Sequence, residues 1–484
     1  MKTGIINLKS TLLLKSDVRI SATPSSRQTQ IEEKNMKSLN RREFMKGSVG
    51  AATTFTILSQ DKSMAANNKV VLGIIGVGGR GRALLASLVK RTDIKIKYIC
   101  DADTRCYGPA AEIVIEGHDY KPKFVQDFQR MLDDPEIDAI VIATSDRWHA
   151  LATIMACQAG KDVYVEKPLS LCIWDGRKMV EAARKYNRIV QVGTQSRSAP
   201  YTDKAREYIR SGKLGDIRLA RVFLMQESGP IRVAGVQPIP EGLDYDLWCG
   251  PSPMLPYRPG RWFWRLWDFY VGYIMADMVH QIDLARYLIG KEYPDTVCNA
   301  GGVYHFDDGR EQPDTQFTTL EFDKITMLFE ASLWSPYMHR IVHLQDKTKF
   351  PDWPFSATKV EILGTKGFMC FGRHGGGWQV FEGDPSVRQS KAVVSEAAVL
   401  KFGGIIDEHF EDFISCIRTR KKPKADIEEA HLSMLLCHLA NISYRVGNRK
   451  LKFNGATESF VNDTEANKYL KANYRKPWVV PEKV

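Results

Sequence analysis

The chain has 484 residues, 44% of them hydrophobic and 26% charged, with a formal charge of +11. That size suits two or three domains, and that balance is globular rather than disordered or fibrous. No basic stripe with interleaved aromatics appears, so nucleic acid is not an expected partner, and the nine scattered cysteines, none spaced C-x-x-C, argue against a disulfide framework or a zinc site.

The first 66 residues hold eleven Lys and Arg against five Asp and Glu, so much of the positive excess is local. Within them, "SLNRREFMK" at 38–46 precedes an apolar, small-residue run at 47–58 and then Ser63-Met64-Ala65. Twin arginines, a weak apolar run and a small-x-small site in this order read as a Tat export leader. The apolar run is too short to span a membrane, and no membrane span is expected. Met36-Lys37-Ser38-Leu39 would give such a leader a compact start, which points to Met36 as the initiator.

Beyond the leader, residues 69–75, "KVVLGII", form a short apolar strand ending in a glycine turn, with helical periodicity at 82–90. "IKIKYIC" at 94–100 is a second strand, and a helix is expected at 108–116. "IDAIVIAT" at 137–144 is almost continuously apolar, as in a parallel strand covered on both faces. Helix 150–159, strand "DVYVEKP", helix 173–186 and strand "IVQVGTQ" follow. This alternation predicts a doubly wound α/β domain at 67–198. After a helix at 204–211 the pattern changes to strands joined by turns. "DIRLARVFLMQ", "VCNAGGVYHF", "QFTTLEFD", "ITMLFEASLW", "ATKVEILGTKGFMCF" and "WQVFEG" predict an antiparallel sheet in a second domain at 199–450. Helices at 407–420 and 426–446 close that domain, and 451–484 read as a tail.

The turn "GVGGRG" places Gly76, Gly78 and Gly81 in a G-x-G-x-x-G, with Gly79 and Arg80 inside it. It follows a strand and opens a helix, and Asp101 ends the next strand twenty positions past Gly81. That context is what a dinucleotide requires. Gly76 makes the turn, Gly78 lets backbone approach the pyrophosphate, and Gly81 lets helix and strand pack closely. Asp101 would accept the adenosine ribose hydroxyls, favouring NAD, while the nearby Arg105 leaves NADP open. Thr144, His149 and Glu166 stand near the ends of later strands and complete the expected cofactor contacts; His149 reads as a helix-start residue packing near the cofactor. Lys167, in Val165-Glu166-Lys167-Pro168, ends the strand "DVYV", where such sheets bind ligands.

The glycine turn, "ICDADTR", "ATSDRWHA", "VYVEKPLS" and "VQVGTQSR" together resemble the Gfo/Idh/MocA oxidoreductase family over about 69–447, and "DYDLWCGPSP" and "EEAHLSMLLCHLANIS" resemble its Tat-exported, glucose-fructose oxidoreductase-like branch. The resemblance implies an N-terminal Rossmann domain and a C-terminal domain whose large open, mostly antiparallel sheet carries the substrate pocket. It implies a homo-oligomer, a dimer or tetramer. It also implies an Asp and a His on one helix of the second domain. In "MADMVHQIDLARYLIG" these are Asp277 and His280, spaced i, i+3 on one helix face; the commoner family spacing is one residue longer. Asp283 reads as a structural carboxylate.

The implied chemistry is NAD-dependent oxidation or reduction of a secondary hydroxyl of a sugar, glycoside or cyclitol. His280 would take the hydroxyl proton, Lys167 would stabilise charge on the same oxygen, and Asp277 would orient His280 or bind a neighbouring hydroxyl. Trp262, Phe263, Trp264 and Trp267, with Arg258, Arg261 and Arg265, suit either stacking on a sugar or packing at an interface. His409, His431 and His438 lack a carboxylate at ligand spacing, and no metal is expected. Two other readings stay open: an NAD-dependent glycoside hydrolase working by transient sugar oxidation, and a non-catalytic dinucleotide sensor.

Overall fold

The computed structural model describes residues 69–340, 350–373, 375–382, 392–396 and 404–484. The expected export leader lies outside them. No helix among the described residues is long and apolar enough to cross a membrane.

Six short strands build the first sheet: β1 Val70–Ile75, β2 Ile94–Cys100, β3 Lys123–Val125, β4 Ala139–Ile142, β5 Asp162–Val165 and β6 Val190–Val192. Their order is β3-β2-β1-β4-β5-β6, and every pair is parallel. All four residues of β4 are buried, which explains why that strand reads as unbroken apolar sequence. Helices α1 Gly79–Leu88, α2 Tyr107–His118, α3 Asp146–Gln158 and α4 Ile173–Lys185 are the crossovers. The strand order reverses between β1 and β4, so their carboxyl ends open a crevice there.

The second sheet has ten strands. Around its centre lie β7 Ile217–Met225, β8 Thr296–Gly302, β9 Thr315–Phe322, β10 Ile325–Ser332, β11 Lys359–Gly364 and β12 Phe368–Gly372. At its two ends lie β13 Trp378–Phe381 with β14 Ala392–Glu396, and β15 Leu451–Asn454 with β16 Ser459–Phe460. The β7–β10 pair is parallel and the other pairings are antiparallel. The stretch "ATKVEILGTKGFMCF", expected as one strand, is the hairpin β11–β12. Helix α5 Pro200–Arg210 leads into this domain, and helix α6 Tyr273–Ile289 packs on β7 and β11.

Two segments of the C-terminal part make contacts that the sequence pattern does not show. Helix α7 Gly404–Thr419 was expected within the second domain, yet it packs on the first sheet. Ile406, Phe410, Phe413, Ile414 and Ile417 join Val70, Leu72, Ile74 and Tyr164 in one buried cluster. The parallel sheet needs both faces covered, and the apolar face of α7 shares in covering the one that carries α1 and α2. The segment 451–484, read as a tail, carries two strands. β15 and β16 extend the second sheet, and Arg475 beyond them binds the carbonyls of Gly250 and Ser252. Helix α8 Ile427–Arg445 packs on β8 and on α6.

Candidate active site

The crevice begins at the glycine turn. Gly76 has φ +83, a left-handed conformation that favours glycine, and a Cβ there would lie 2.6 Å from the Thr144 backbone nitrogen. A Cβ on Gly81 would lie 1.9 Å from the Gly76 carbonyl oxygen, so α1 can start this close to β1 only without one. Gly78 and Gly79 differ: a Cβ on either meets no atom within 4 Å. Gly78 caps α1 without a side-chain hydrogen bond, which leaves the first-turn N–H groups facing the crevice.

Asp101, at the end of β2, accepts the Val77 N–H on Oδ2 at 2.8 Å and the Asp103 N–H on Oδ1 at 3.0 Å. Burial raises its pKa, although the two N–H bonds oppose this. Each oxygen retains a lone pair for another donor. Arg105 is held away by Asp103, to which it donates at 2.8 and 2.6 Å.

A cavity of about 280 Å³ runs from Asp101 and Asp103 past Gly76 and Gly78 to Thr144, Ser145 and Arg147. Its roof comes from the second domain and includes Leu247, Trp248 and Phe263. The tryptophan-rich loop therefore contributes to the cofactor cleft by packing. Phe263 sits edge-on to Trp248, Trp262 is buried, and Trp264 stacks on Tyr270 at 5.2 Å.

Arg147 was not foreseen. It is 3% exposed, and its guanidinium lies over Trp248 at 4.4 Å. Nε and Nη2 donate to the Trp248 carbonyl, and Nε also donates to that of Cys249. Among the described residues Nη1 has no hydrogen-bond partner. Burial lowers its pKa to about 10 and, next to it, raises that of Asp146 to about 7. An unsatisfied buried cation, open space before Gly78 and Gly79, and exposed helix N–H groups fit a bound pyrophosphate. Gly76, Gly78, Asp101, Thr144 and Arg147 are the residues that would hold the dinucleotide.

Glu166 and Arg80 form a bracket between the turn and β5. Glu166 Oε1 accepts Arg80 Nε at 2.9 Å and Nη2 at 2.7 Å, with Tyr164 and Gln195 also donating to it. Burial would raise the Glu166 pKa, but the charge and hydrogen bonds of Arg80 outweigh it and hold the pKa low. His149 is buried, with Nδ1 2.7 Å from the Pro168 carbonyl and Nε2 3.1 Å from that of Thr144. It ties the end of β4 to the segment after β5 and is not among the residues lining the cavity.

Lys167 joins the two domains. Its Nζ donates to the Ala276 carbonyl at 2.9 Å and lies 3.8 Å from Asp277 Oδ1. Asp277 meets two further cations: Arg373 Nη2 at 3.0 Å and Arg340 Nη2 at 3.2 Å. Burial would raise the Asp277 pKa, but Arg373 and then Lys167 overcome it and hold the carboxyl well below its usual range. Asp277 is thus a fixed anion rather than a proton carrier near neutral pH. Burial, with Arg373 opposite, pushes the Lys167 pKa down. His280 is buried on the same helix, and its charge would add to the field at Asp277. Sequence offers no signal for Arg340 and Arg373, which lie 63 and 96 positions from Asp277.

Other candidates have structural partners. Asp283 receives Arg197 at 2.7 and 2.8 Å in a buried pair. His431 meets Glu458, His438 meets Ser170, and His409 meets Ser198. Among the described residues no group of three side chains could hold a metal.

Three family models match the chain. They are an NAD-binding Rossmann fold of an oxidoreductase family at 70–194, a GFO/IDH/MocA C-terminal domain at 202–370, and an oxidoreductase C-terminal alpha/beta domain at 398–480. Among curated relatives, scyllo-inositol 2-dehydrogenase (NAD(+)) of Bacillus subtilis is 24% identical over 78% of this chain and 95% of its own length. A glycosyl hydrolase family 109 protein of Stenotrophomonas maltophilia is 34% identical, over 29% of this chain and 32% of its own. Among solved structures, a levoglucosan dehydrogenase complex with NADH and levoglucosan superposes with a TM-score of 0.57. It is 21% identical, and the match covers 81% of this chain and 99% of that one. With its NAD-binding Rossmann domain, glycine turn and Lys167 at the domain junction, the chain belongs to the Gfo/Idh/MocA family of oxidoreductases.

Proposed function

We propose that this protein oxidises a secondary hydroxyl of a sugar, glycoside or cyclitol, or runs the reverse reduction. The observation that carries the reading is the reach of Lys167 from the end of β5 to Ala276, on the helix that bears Asp277 and His280. It sets a cation beside a fixed carboxylate, with an imidazole on the same helix. Bound NAD supplies the hydride acceptor for the carbinol C–H. His280 takes the hydroxyl proton, and Lys167 stabilises the negative charge that develops on the same oxygen. Asp277 keeps Lys167 charged and in place.

The test is reduction of NAD⁺ by a panel of glycosides and cyclitols. Lys167→Ala and His280→Ala should each lower kcat/KM by about 10²- to 10⁴-fold while NADH still binds. Activity of both variants within about tenfold of the parent would sink the assignment. Release of a glycoside's leaving group without net NADH would instead favour transient oxidation followed by elimination.

Export through the Tat route is part of this proposal and rests on "SLNRREFMK" and the run after it. Replacing Arg41 and Arg42 with Lys should trap the protein in the cytoplasm on cell fractionation. Unchanged distribution would remove the export proposal and leave the enzymatic one standing.

A further inference from the structure

We propose that the substrate is an acidic sugar or cyclitol, and that Arg340 holds its carboxylate beside Asp277. This rests on the oxidoreductase reading above. The ground is charge balance. Lys167, Arg340 and Arg373 converge on one carboxylate, Asp277, at 3.8, 3.2 and 3.0 Å. Of the neighbouring charges, Arg80 is already paired with Glu166 at 2.7 Å. Among the described residues, three cations therefore share one carboxylate beside the reacting position. A neutral polyol supplies hydroxyl dipoles but no countercharge.

The cations differ in availability. Arg373 is spent inside the protein: its side chain is 8% exposed, and it binds Gln281 Oε1 at 3.1 Å as well as Asp277. Lys167 is committed to the reacting oxygen. Arg340 is 41% exposed, with Nε donating to Gln226 Oε1 at 2.6 Å and Nη2 donating to Asp277 Oδ2. Gln226 is itself buried. A guanidinium anchored at two nitrogens is already oriented, so it loses little freedom when a planar carboxylate meets it. Charge and shape favour a carboxylate over a hydroxyl.

The test uses the full-length protein saturated with NADH, and calorimetric titration with pairs differing in the acid group. The pairs are D-glucuronate against D-glucose and D-galacturonate against D-galactose, with D-glucose 6-phosphate as a separate arm. At least one acid should bind about tenfold or more tighter than its neutral partner, and the preference should shrink as salt is raised. Arg340→Gln should cut the binding of that acid by about 10- to 100-fold and collapse the preference, and Arg340→Lys should recover part of it. The inference is overturned if no acid exceeds its neutral partner, if the phosphosugar alone binds, or if Arg340→Gln weakens acid and neutral sugar alike. NADH fluorescence is recorded before any sugar is added. If NADH does not bind, the oxidoreductase reading falls, and the charge assignment falls with it.

Discussion

Two glycines three residues apart in one turn, Gly78 and Gly81, should respond differently to the same added methyl group. In Gly81→Ala the new Cβ falls 1.9 Å from the Gly76 carbonyl oxygen, whereas real Cβ contacts essentially never come below 3.0 Å. The obstacle is backbone, so α1 must withdraw from β1 by about 1 Å. Overpacking of that kind costs about 1–3 kcal/mol, and it disturbs the N–H groups that face the crevice. In Gly78→Ala the backbone already has φ −66 with extended ψ, and the methyl group meets no protein atom within 4 Å. Its stability cost should stay within about 0.5 kcal/mol, as for an uncrowded surface change. The methyl group instead occupies the space assigned to the pyrophosphate. Thermal unfolding and NADH fluorescence titration on both variants separate the two effects. Gly78→Ala should melt with the parent yet bind NADH at least about tenfold more weakly, a loss of about 1.4 kcal/mol. Gly81→Ala should lose both stability and affinity. Parental NADH affinity in Gly78→Ala would refute the placement of the cofactor, and parental stability in Gly81→Ala would refute the packing argument.

Cofactor choice should turn on Asp103, which holds the exposed Arg105 guanidinium. Asp103→Ala frees Arg105 to meet a 2′-phosphate, and the ratio of NADP to NAD affinity should rise about tenfold in competitive titration; a constant ratio would show that Arg105 does not reach the ribose. Glu458 anchors the far side of the second domain through His431 at 2.9 Å and Arg177 at 2.5 Å. Burial works against its ionised form, but these partners prevail and bring its pKa down to about 2 from an ordinary 4.5. A lowered folded-state pKa gives stability that is fully present above pH 4.5 and is lost as the pH falls towards 2. Glu458→Gln should therefore cost about 1–2 kcal/mol at pH 7, after allowance for solvent screening, and much less near pH 3. An equal loss at both pH values would mean that packing, not charge, is responsible.

The parts of the site that could be read in the sequence are those set by near neighbours in the chain. Gly76 and Gly81 are required by the local path of a strand into a helix, and Asp101 and Lys167 mark strand ends whose apolar runs are plain in the sequence. Asp277 and His280 share a face because α6 is a helix. Arg147 could have been noticed in "TSDRWHA", but its burial against Trp248, 101 positions away, could not. The aromatic loop illustrates the limit differently. Its composition suits a sugar platform or a packed interface, and what the fold adds is Phe263 roofing the cofactor crevice.

What the sequence determined alone is the doubly wound domain, its dinucleotide turn and the family, because steric and periodic constraints act between residues close in the chain. What only the tertiary structure decided is the company those residues keep. Helix α7 returns from residue 404 to cover the first sheet, since an exposed apolar face of a parallel sheet must be buried by whatever segment carries the matching stripe. Arg340 and Arg373 arrive at Asp277 from 63 and 96 positions away. The charge balance of a cleft is a sum over space, and no local pattern in the chain carries that sum.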